Sequence, residues 1–355
     1  MKKIILLIIS VWLYALSGEV PVEETNGTLQ NKTLILESKE SNLSANVNFT
    51  YQPVINEIEL NDTYVSFNTN VNLAVVINKE RFFKYLPSLM NALNAYFAQK
   101  GVDYNITLYN SDINLSKIQS GDIIYFTTNL NKLNVLKNSD KRFYLPLINK
   151  NETNITSKNL YFGSIDFKKQ INILSSFIDS KTCVIADNTQ LSQKLTAYEK
   201  SIPYIKNIYK FPNINYKNLN ASFIIFNTNA GETAQVLSTI TQKEIQTKLN
   251  LSPQIGYDPL MIILTQPADI KKLLIANSII HPPLIINEYA SLLNSDIRYN
   301  WLNYSTCILA NKIYNKQNEE DEFYMNDFNI YIFDNQIDYQ TKLYKIFNGA
   351  FKQVK

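Results

Sequence analysis

The sequence contains few of the residues on which catalytic and metal sites usually depend. Among its 355 residues there is one histidine, His281, and there are two cysteines, Cys183 and Cys307. Zinc sites and most acid–base catalysis use clusters of these residue types, so we expect neither in this chain. Glycine is scarce too, with 8 residues, which argues against a glycine-rich phosphate loop. We therefore expect no metal, no cofactor and no enzymatic activity.

An excess of charge of one sign is also lacking. The chain carries 34 basic and 31 acidic residues, which gives a formal net charge of +3. That balance argues against a dedicated nucleic-acid-binding protein. Arginine occurs only at Arg81, Arg142 and Arg298, so few side chains can grip a carboxylate or phosphate with two parallel hydrogen bonds. Hydrophobic residues nevertheless make up 45% of the chain, which is enough for a substantial core.

Long hydrophobic runs are absent except at the N-terminus. Lys2 and Lys3 precede an apolar run over residues 4–16, and small residues follow it. This arrangement predicts a signal peptide over residues 1–17, because the run is shorter than the ~20 apolar residues of a membrane span. An uncleaved N-terminal anchor is the alternative. We expect an exported, periplasmic protein with no membrane span after cleavage.

Asparagine followed by x-Ser/Thr occurs twelve times in the sequence. Six of these sites carry an acidic residue two positions before the asparagine, although acidic residues form about 9% of the chain and chance predicts roughly one coincidence. The pattern resembles the extended acceptor site of the N-glycosylation system of some Gram-negative bacteria, which implies glycans here. The six asparagines are Asn26, Asn42, Asn61, Asn105, Asn114 and Asn154. Accidental sites in an asparagine-rich chain are the alternative.

Residues 18–65 have the composition of a flexible leader. They are rich in Asn, Thr, Ser and Glu and show no sustained apolar period. Three of the six acidic acceptor sites lie here, as expected for accessible backbone. We predict a flexible, glycosylated leader over these residues.

From residue 66 onward, short apolar runs alternate with longer segments of helical period. The predicted strands cover residues 71–77, 105–109, 122–127, 142–148, 182–186, 222–226 and 283–286. The predicted helices cover residues 81–100, 167–178, 190–202, 230–244 and 268–276. Such alternation is typical of parallel sheets with helices on their faces. We predict an α/β fold of two Rossmann-like lobes with parallel sheets and a cleft between them.

The order of these segments resembles the type 1 periplasmic binding protein fold of solute receptors. Leu73-Ala-Val-Val-Ile77 is similar to the opening strand of that family, and Leu160-Tyr-Phe-Gly-Ser-Ile-Asp166 resembles its crossover between lobes. Ser252-Pro-Gln-Ile-Gly-Tyr-Asp-Pro-Leu260 resembles the segment before the return to the first lobe. Residues 301–314 resemble a late helix of that lobe, and residues 344–351 resemble the closing hairpin. Relatives include envelope regulators such as the C-terminal domain of the lipoprotein activator of penicillin-binding proteins.

The resemblance implies lobe 1 over residues 66–162 and 288–322, and lobe 2 over residues 163–287 and 323–355. In open α/β sheets, ligands bind outside the carboxyl ends of the strands. The resulting cleft candidates are Asn78, Arg81, Thr127, Thr128, Asn129, Asp187, Asn188, Asn227, Asn229, Tyr257, Glu288 and Tyr289. Polar strand ends occur in every α/β protein, and helix capping is the alternative explanation for Asp187 and Asn188.

The two cysteines are expected in the core, and one acidic and aromatic segment is expected at the surface. Cys183 lies in a predicted strand of lobe 2, whereas the resemblance places Cys307 on a helix of lobe 1, so we expect two buried thiols rather than a disulfide. The acidic run of residues 319–322 indicates a solvated loop. Residues 318–339 are rich in aromatic side chains and aspartate, and we predict that they form a face for a protein partner.

Three functions remain open. The first is a non-catalytic periplasmic glycoprotein that acts as a scaffold or regulator in a cell-envelope complex, in cell-wall synthesis or the flagellar motor. The second is a solute-binding protein that binds a small molecule for an amino acid, peptide or sugar transporter. The third is an envelope enzyme that uses carboxylates such as Asp187 or Glu288. The long leader favours the first, as does the lack of an evident Ser/Thr pattern of the kind that holds a carboxylate in amino-acid receptors.

Overall fold

The computed structural model describes residues 71–280, 282–318 and 320–354. The predicted signal peptide and leader lie outside these residues, and so do His281 and the acceptor asparagines Asn26, Asn42 and Asn61. In the described part of the chain, no helix is long and apolar enough to cross a membrane.

Strands and helices alternate along the described chain. In chain order the strands are β1 (Val71–Ile77), β2 (Tyr104–Asn110), β3 (Asp122–Phe126), β4 (Arg142–Leu145), β5 (Leu160–Phe162), β6 (Thr182–Ala186), β7 (Ile205–Lys210), β8 (Phe223–Asn227), β9 (Asn250–Ser252), β10 (Leu273–Asn277), β11 (Tyr324–Met325), β12 (Ile330–Phe333), β13 (Gln336–Ile337), β14 (Lys342–Phe347) and β15 (Ala350–Gln353). The helices are α1 (Lys79–Phe82), α2 (Leu86–Lys100), α3 (Leu133–Leu136), α4 (Phe167–Ser175), α5 (Gln190–Glu199), α6 (Ala230–Gln242), α7 (Pro259–Leu264), α8 (Pro267–Ile270), α9 (Leu284–Leu292) and α10 (Trp301–Gln317).

The strands form two sheets, and each sheet is the centre of one lobe. The first has the order β11-β12-β13-β5-β4-β3-β1-β2, and the second has the order β15-β14-β10-β9-β8-β6-β7. Strands β1 to β5 pair in parallel, as do β6 to β10, whereas β11, β12, β14 and β15 pair antiparallel at the edges. The predicted α/β fold of two lobes is confirmed, with mixed rather than purely parallel sheets.

Helices cover both faces of the first sheet, which explains its continuous apolar strands. Leu73 and Val75 of β1 belong to the core under α2 and α10, whereas Ala74 and Val76 belong to the core under α3. The side chains of α10 are buried over most of its length, and this helix packs with α9 against α2. The predicted helix over residues 81–100 is two helices, because Pro87 at the start of α2 cannot continue a helix from α1. Helix α2 ends, as predicted, at Gly101 with φ +64.

The chain crosses between the two lobes directly after β5. Gly163 lies in this crossover, and a Cβ atom there would be 2.7 Å from Leu309 Cδ1 and 3.1 Å from Pro146 Cα. Only glycine therefore allows the chain to pass this close to α10 without displacing its neighbours. The chain returns after β10 to α9 and α10, and it crosses once more to the hairpin of β14 and β15.

Three assignments made from the sequence differ from the structure. Residues 324–337 hydrogen-bond into the first sheet, whereas the sequence analysis put all of residues 323–355 in lobe 2. The ladder runs from β12 to β13, and Gln336 of β13 pairs with Phe162 of β5. The predicted strand over residues 283–286 is the start of helix α9, and the predicted helix over residues 268–276 contains strand β10. In both places a short apolar run fits a buried strand and a buried helix equally well.

The two cysteines are free and buried, as expected. Cys183 lies in β6 of the second lobe, and Cys307 lies in α10, in the core of the first lobe. Burial raises the pKa of the Cys307 thiol, so this thiol stays protonated and unreactive.

Candidate functional site

A cavity of about 660 Å³ lies between the lobes, beyond the carboxyl ends of the strands. The first lobe contributes residues that follow β1, β3 and β5, and the second lobe contributes the start of α4 and the first turns of α5. The lining side chains from the first lobe include Arg81, Phe82, Tyr85, Thr128 and Ser164. Those from the second lobe include Phe167, Gln190, Leu191 and Lys194. We call this the first cavity.

Two polar contacts cross the first cavity from lobe to lobe. Arg81 donates from Nη2 to Oε1 of Gln190, and its Nη1 lies 3.4 Å from Oγ1 of Thr128. Lys194 Nζ lies 2.7 Å from Glu152 Oε1, and both side chains are largely buried. Glu152 also accepts the backbone N–H of Asn149 and so caps the turn that carries it. The two lobes are thus held together across the cavity by charged groups that also line it.

A second cavity of about 700 Å³ adjoins the first and shares Tyr85, Leu191, Asn300 and Trp301 with it. Its walls are aromatic and acidic. The acidic residues are Asp187, Asp258 and Asp296, and the further aromatic residues are Tyr257 and Tyr299. Neither lysine nor arginine is among the described residues that line it. This second cavity therefore offers negative charge and ring surfaces, whereas the first cavity offers both signs of charge.

Local hydrogen bonds position the three aspartates of the second cavity. Asp187 Oδ1 accepts from the N–H and the hydroxyl of Thr189, before α5. Asp258 Oδ1 accepts the N–H of Leu260 and so caps α7. Asp296 Oδ1 accepts from two N–H groups of the loop before α10. Each carboxylate is therefore fixed at the cavity wall by the turn that contains it.

Glu232 stands behind Asp187, in the first turn of α6. Burial and then the Asp187 carboxylate raise the pKa of Glu232. Its Oε2 atom is buried without a hydrogen-bond partner among the described residues. Glu232 therefore binds a proton more readily than an exposed carboxyl group does, because its charge would be partly buried and repelled by Asp187.

The aromatic wall of the second cavity is built from both lobes. The ring centroids of Tyr257 and Tyr299 are 5.5 Å apart, and Phe351 of the closing hairpin lies 4.3 Å from Tyr257. Burial raises the pKa of Tyr257, so its hydroxyl remains a neutral donor. Trp301 begins α10, whose first N–H groups are capped by Asn300. The cap therefore sets the direction in which Trp301 leaves the helix.

Eight of the twelve cleft candidates predicted from the sequence line one of these cavities or a smaller neighbour. Arg81 and Thr128 line the first cavity, and Asp187, Asn229 and Tyr257 line the second. Asn78 lines a cavity of about 390 Å³ beside the first, where Thr127 and Asn129 also lie. Several of them cap turns or helices as well: Asn78, Thr127, Asn129 and Asn229 each accept a backbone N–H within three residues.

Four candidates lie elsewhere. Asn227 is fully buried in the second lobe and donates to Glu199. Asn188 is exposed and accepts from Lys210. Glu288 and Tyr289 are exposed on α9, which packs against α2, and they line none of the cavities described above. The predicted strand before them is a helix, so the strand-end argument placed them wrongly.

The cleft residues on α5 and α10 were not predicted from the sequence. Lys194 lies one helical turn beyond Gln190, which no rule for strand ends selects. Trp301 and Tyr299 lie far along the chain from any strand end. Tryptophan is rare in this sequence, with 2 residues, and that rarity was the one available signal for Trp301.

The described acceptor asparagines differ in exposure, and Asn151 and Asn220, which lack the preceding acidic residue, are also exposed. Asn105, Asn114 and Asn154, which follow an acidic residue by two positions, are all exposed. Asn250 and Asn303, which do not, are 3% and 1% exposed and lie in β9 and α10. Asn154 is in a loop without regular secondary structure, whereas Asn105 lies in β2 and Asn114 caps a turn with its side chain.

No family model and no curated protein matches this chain. Solved structures do resemble it. One is a branched chain amino acid ABC transporter protein from Thermus thermophilus with bound valine, at 10% identity, 81% coverage of this chain, 96% of that chain and a TM-score of 0.58. Another is a putative branched-chain amino acid ABC transporter protein from Rhodospirillum rubrum, at 9% identity, 81% and 100% coverage and a TM-score of 0.58.

A third similar structure is an ABC transporter substrate-binding protein from Desulfitobacterium hafniense in complex with Leu, at 11% identity, 80% and 100% coverage and a TM-score of 0.51. Identities this low show the fold alone. The fold of this chain is that of type 1 periplasmic binding proteins, as the sequence analysis expected.

Proposed function

We propose that this protein is an exported solute-binding receptor that holds a small polar molecule between its lobes. The observation that carries the proposal is the pair of adjoining cavities at the carboxyl ends of strands from both sheets, joined by Tyr85, Leu191, Asn300 and Trp301. Open α/β sheets place ligands at this edge. Volumes of about 660 and 700 Å³ lie within the range of small-molecule sites. Similar folds are solved with valine and with Leu.

The charges that line the two cavities suggest the class of solute. The first cavity has donors in Arg81, Thr128 and Ser164, which suit a carboxylate. The second has Asp187, Asp258 and several aromatic rings, which suit an ammonium group. We propose an amino acid or a similar zwitterion as the ligand, oriented with its ammonium group in the second cavity.

Native mass spectrometry and calorimetry test this proposal. The protein purified from its own periplasm is expected to retain a small molecule, and the ligand-free protein is expected to bind members of an amino-acid panel. Asp258→Asn keeps the cap on α7 but removes a charge, and it is expected to weaken binding about 30-fold or more, as for a buried charge that loses its partner. Asp140→Asn, at an exposed position in the first lobe, is the matched control. Absence of binding across the panel, with the folded state intact, contradicts the proposal.

The scaffold or regulator in an envelope complex, which the sequence analysis favoured, remains the second candidate. The fold comparisons support the receptor better. One observation favours the scaffold: Arg81 and Lys194, the cations of the first cavity, are already bound to Gln190 and Glu152. A scaffold is expected to retain no small molecule in the same mass spectrum and to co-purify with an envelope protein at constant ratio.

Export and glycosylation are further parts of the proposal. We propose that Asn154 is the main acceptor among the described residues, because it is exposed on irregular backbone that a transferase can reach. Asn105 and Asn114 are secondary acceptors. Glycopeptide mapping of the native protein tests this assignment. Asn151 lies in the same segment and also precedes x-Thr, but Asn149 rather than an acidic residue stands two positions before it. Glycan on Asn151 and not on Asn154 contradicts the assignment.

A further inference from the structure

The outer strands of the first sheet carry a row of exposed aromatic rings away from the cleft. Along β12, Ile330 and Ile332 are buried, whereas Tyr331 and Phe333 point to the opposite face and are 50% and 61% exposed. The ring centroids of Tyr331 and Phe333 are 5.7 Å apart, and those of Tyr331 and Tyr324 are 4.7 Å apart. Three rings thus form a continuous row across β11 and β12.

A fourth exposed aromatic residue lies at the same sheet edge but on the opposite face, because Phe323 stands across from the buried Ile332 rather than from Tyr331. Phe323, directly before β11, is 59% exposed, and the buried Lys312 holds its ammonium group 5.2 Å from the ring. The neighbouring rings of Tyr324, Tyr331 and Phe333 form an apolar patch larger than scattered single side chains would give. Such patches mark association surfaces more often than isolated exposed residues do.

Negative charge borders the row. Residues 317–341 contain seven acidic residues and no lysine or arginine, in a chain whose net charge is +3. Four of the acidic residues pair with lysines from elsewhere in the chain: Glu322, Asp327, Asp334 and Asp338. In the described part of the chain, Glu320 and Asp321 have no ion-pair partner.

These two free carboxylates lie at the start of the aromatic row. Asp321 Oδ1 accepts the N–H groups of Phe323 and Tyr324 at 2.8 and 3.2 Å, so the turn into β11 fixes it beside the rings. Glu320 Oε2 lies 3.5 Å from the side-chain nitrogen of Asn326, which follows β11. Both residues are exposed.

We propose that Glu320, Asp321, Tyr324, Tyr331 and Phe333, together the acidic aromatic edge, bind a lysine- or arginine-rich segment of a partner protein. Lysine and arginine have apolar stems and charged ends. Their stems fit across the row of rings, and their charged ends reach Glu320 and Asp321. Tyrosine and arginine are also the residues that contribute most at protein interfaces. This proposal is independent of the solute receptor function.

The arrangement of the rings favours a protein segment over a carbohydrate. Sugars stack on open ring faces, whereas Tyr324, Tyr331 and Phe333 stand beside one another and turn their faces to each other, with interplanar angles of 35° and 20°. Nucleic acids and anionic lipids are repelled by the free carboxylates.

Photo-crosslinking in cells tests this inference on the full chain. A benzophenone amino acid replaces Tyr331, and in the matched control it replaces Phe347, which is 64% exposed on β14 of the second lobe. The position 331 variant is expected to give a specific adduct, and the partner peptide identified in it is expected to carry several lysines or arginines. The position 347 variant is expected to lack that adduct.

A charge variant makes the test specific. Glu320→Gln with Asp321→Asn removes both charges and keeps the Oδ1 acceptor that fixes the turn. It is expected to reduce the adduct about tenfold, the loss that two exposed ion pairs give, while the circular dichroism spectrum stays unchanged. The inference is overturned by an adduct to a glycan, to a second copy of this chain or to an acidic segment. It is equally overturned by no adduct, or by one that the charge variant leaves unchanged.

Discussion

The two lobes stabilise their buried polar groups in different ways. In the first lobe, Asp122 is 4% exposed, and Arg142 binds both of its oxygens at 2.7 and 2.8 Å. Lys312 is buried nearby and donates to the backbone oxygen and the carboxylate of Glu322 at 2.6 and 3.2 Å. Burial lowers the pKa of Lys312, and the Glu322 charge opposes that shift. The buried charges of this lobe are therefore compensated by opposite charges.

The second lobe has a buried carboxyl group without a cation. Glu199, at the end of α5, is fully buried, and its Oε2 accepts from Asn227 Nδ2 at 2.8 Å. Burial raises the pKa of Glu199 to about 8. Among the described residues, Glu199 Oε1 and Asn227 Oδ1 have no other partner. A proton on Glu199 makes the acid neutral and supplies a donor, which is the group that the unpartnered Asn227 Oδ1 lacks.

The first lobe thus pairs its buried charges with opposite charges, whereas the second lobe keeps its buried acid uncharged. An ion pair keeps both groups charged over a wide pH range, so it adds little pH dependence near neutrality. A buried acid that stays neutral must bind a proton that the unfolded chain releases, so it makes folding pH-dependent. We therefore expect the second lobe to set the pH dependence of stability between about pH 4.5 and 8.

The largest effect on stability is expected when Glu199, the titrating group of the second lobe, is replaced. Glu199 is protonated up to about pH 8 in the folded state and ionises from about pH 4.5 when unfolded. Its favourable contribution is thus complete below pH 4.5 and is lost as the pH rises to about 8. Glu199→Gln keeps an acceptor and a donor for Asn227 without a proton to bind. Above pH 8 the variant is expected to be more stable than the parent by about 4–5 kcal/mol, falling to near zero at pH 4.5.

Denaturant unfolding at a series of pH values measures this difference. Glu244→Gln, which removes an exposed carboxylate in the same lobe, is the control and is expected to leave the pH profile unchanged. Parallel profiles for the parent and Glu199→Gln show that the buried acid does not carry the pH dependence.

The next largest effect on stability is expected when the ion pair between Asp122 and Arg142 in the first lobe is broken. Arg142→Met leaves the Asp122 carboxylate with only the Tyr144 hydroxyl, which donates to it at 2.9 Å. A fully buried pair that loses one partner costs about 3–5 kcal/mol; because the Arg142 side chain is 34% exposed, we expect about 2–3 kcal/mol. Adding Asp122→Asn is expected to recover part of that loss, and thermal or denaturant unfolding measures both variants. A double variant that loses the sum of the two single effects contradicts the buried-charge argument.

The alternation of short apolar runs with helical segments was sufficient to predict the fold. Strands covered by helices on both sheet faces, such as β3 and β6, are buried along their whole length and therefore apolar throughout. Strand β7, at the edge of the second sheet, was not predicted because its alternating polar residues give a weak apolar signal. Strand β12 was not predicted although all four of its residues are apolar, because a run this short does not define a strand by itself. The assignment of residues 324–337 to the first sheet depends on a single pairing between Gln336 and Phe162, distant in sequence, which no local pattern reveals.

The candidate site was predictable only where it follows strand ends. Arg81, Thr128 and Asp187 were selected by that rule, and each lines a cavity. Trp301 and Lys194 were not, because they reach the cleft from helices whose orientation depends on tertiary packing. The division into a cavity with both signs of charge and an acidic cavity depends on which loops meet, and composition averaged over the chain cannot show it.

The smallest expected effect concerns the ion pair that joins the two lobes. Lys194 and Glu152 are 29% and 15% exposed, more than the Asp122 carboxylate, so solvent screens their interaction more. Lys194→Met is expected to lower the free energy of unfolding by about 0.5–1 kcal/mol, and 1 M salt is expected to remove most of that difference. Lys194 is the better position to change, because Glu152 also caps a turn. Lys248→Met breaks a pair with Asp179 inside the second lobe and serves as the control. If the lobe-joining pair also holds the cleft closed, Lys194→Met alone increases proteolysis at the crossover after β5; equal proteolysis in both variants limits the pair to a local contact.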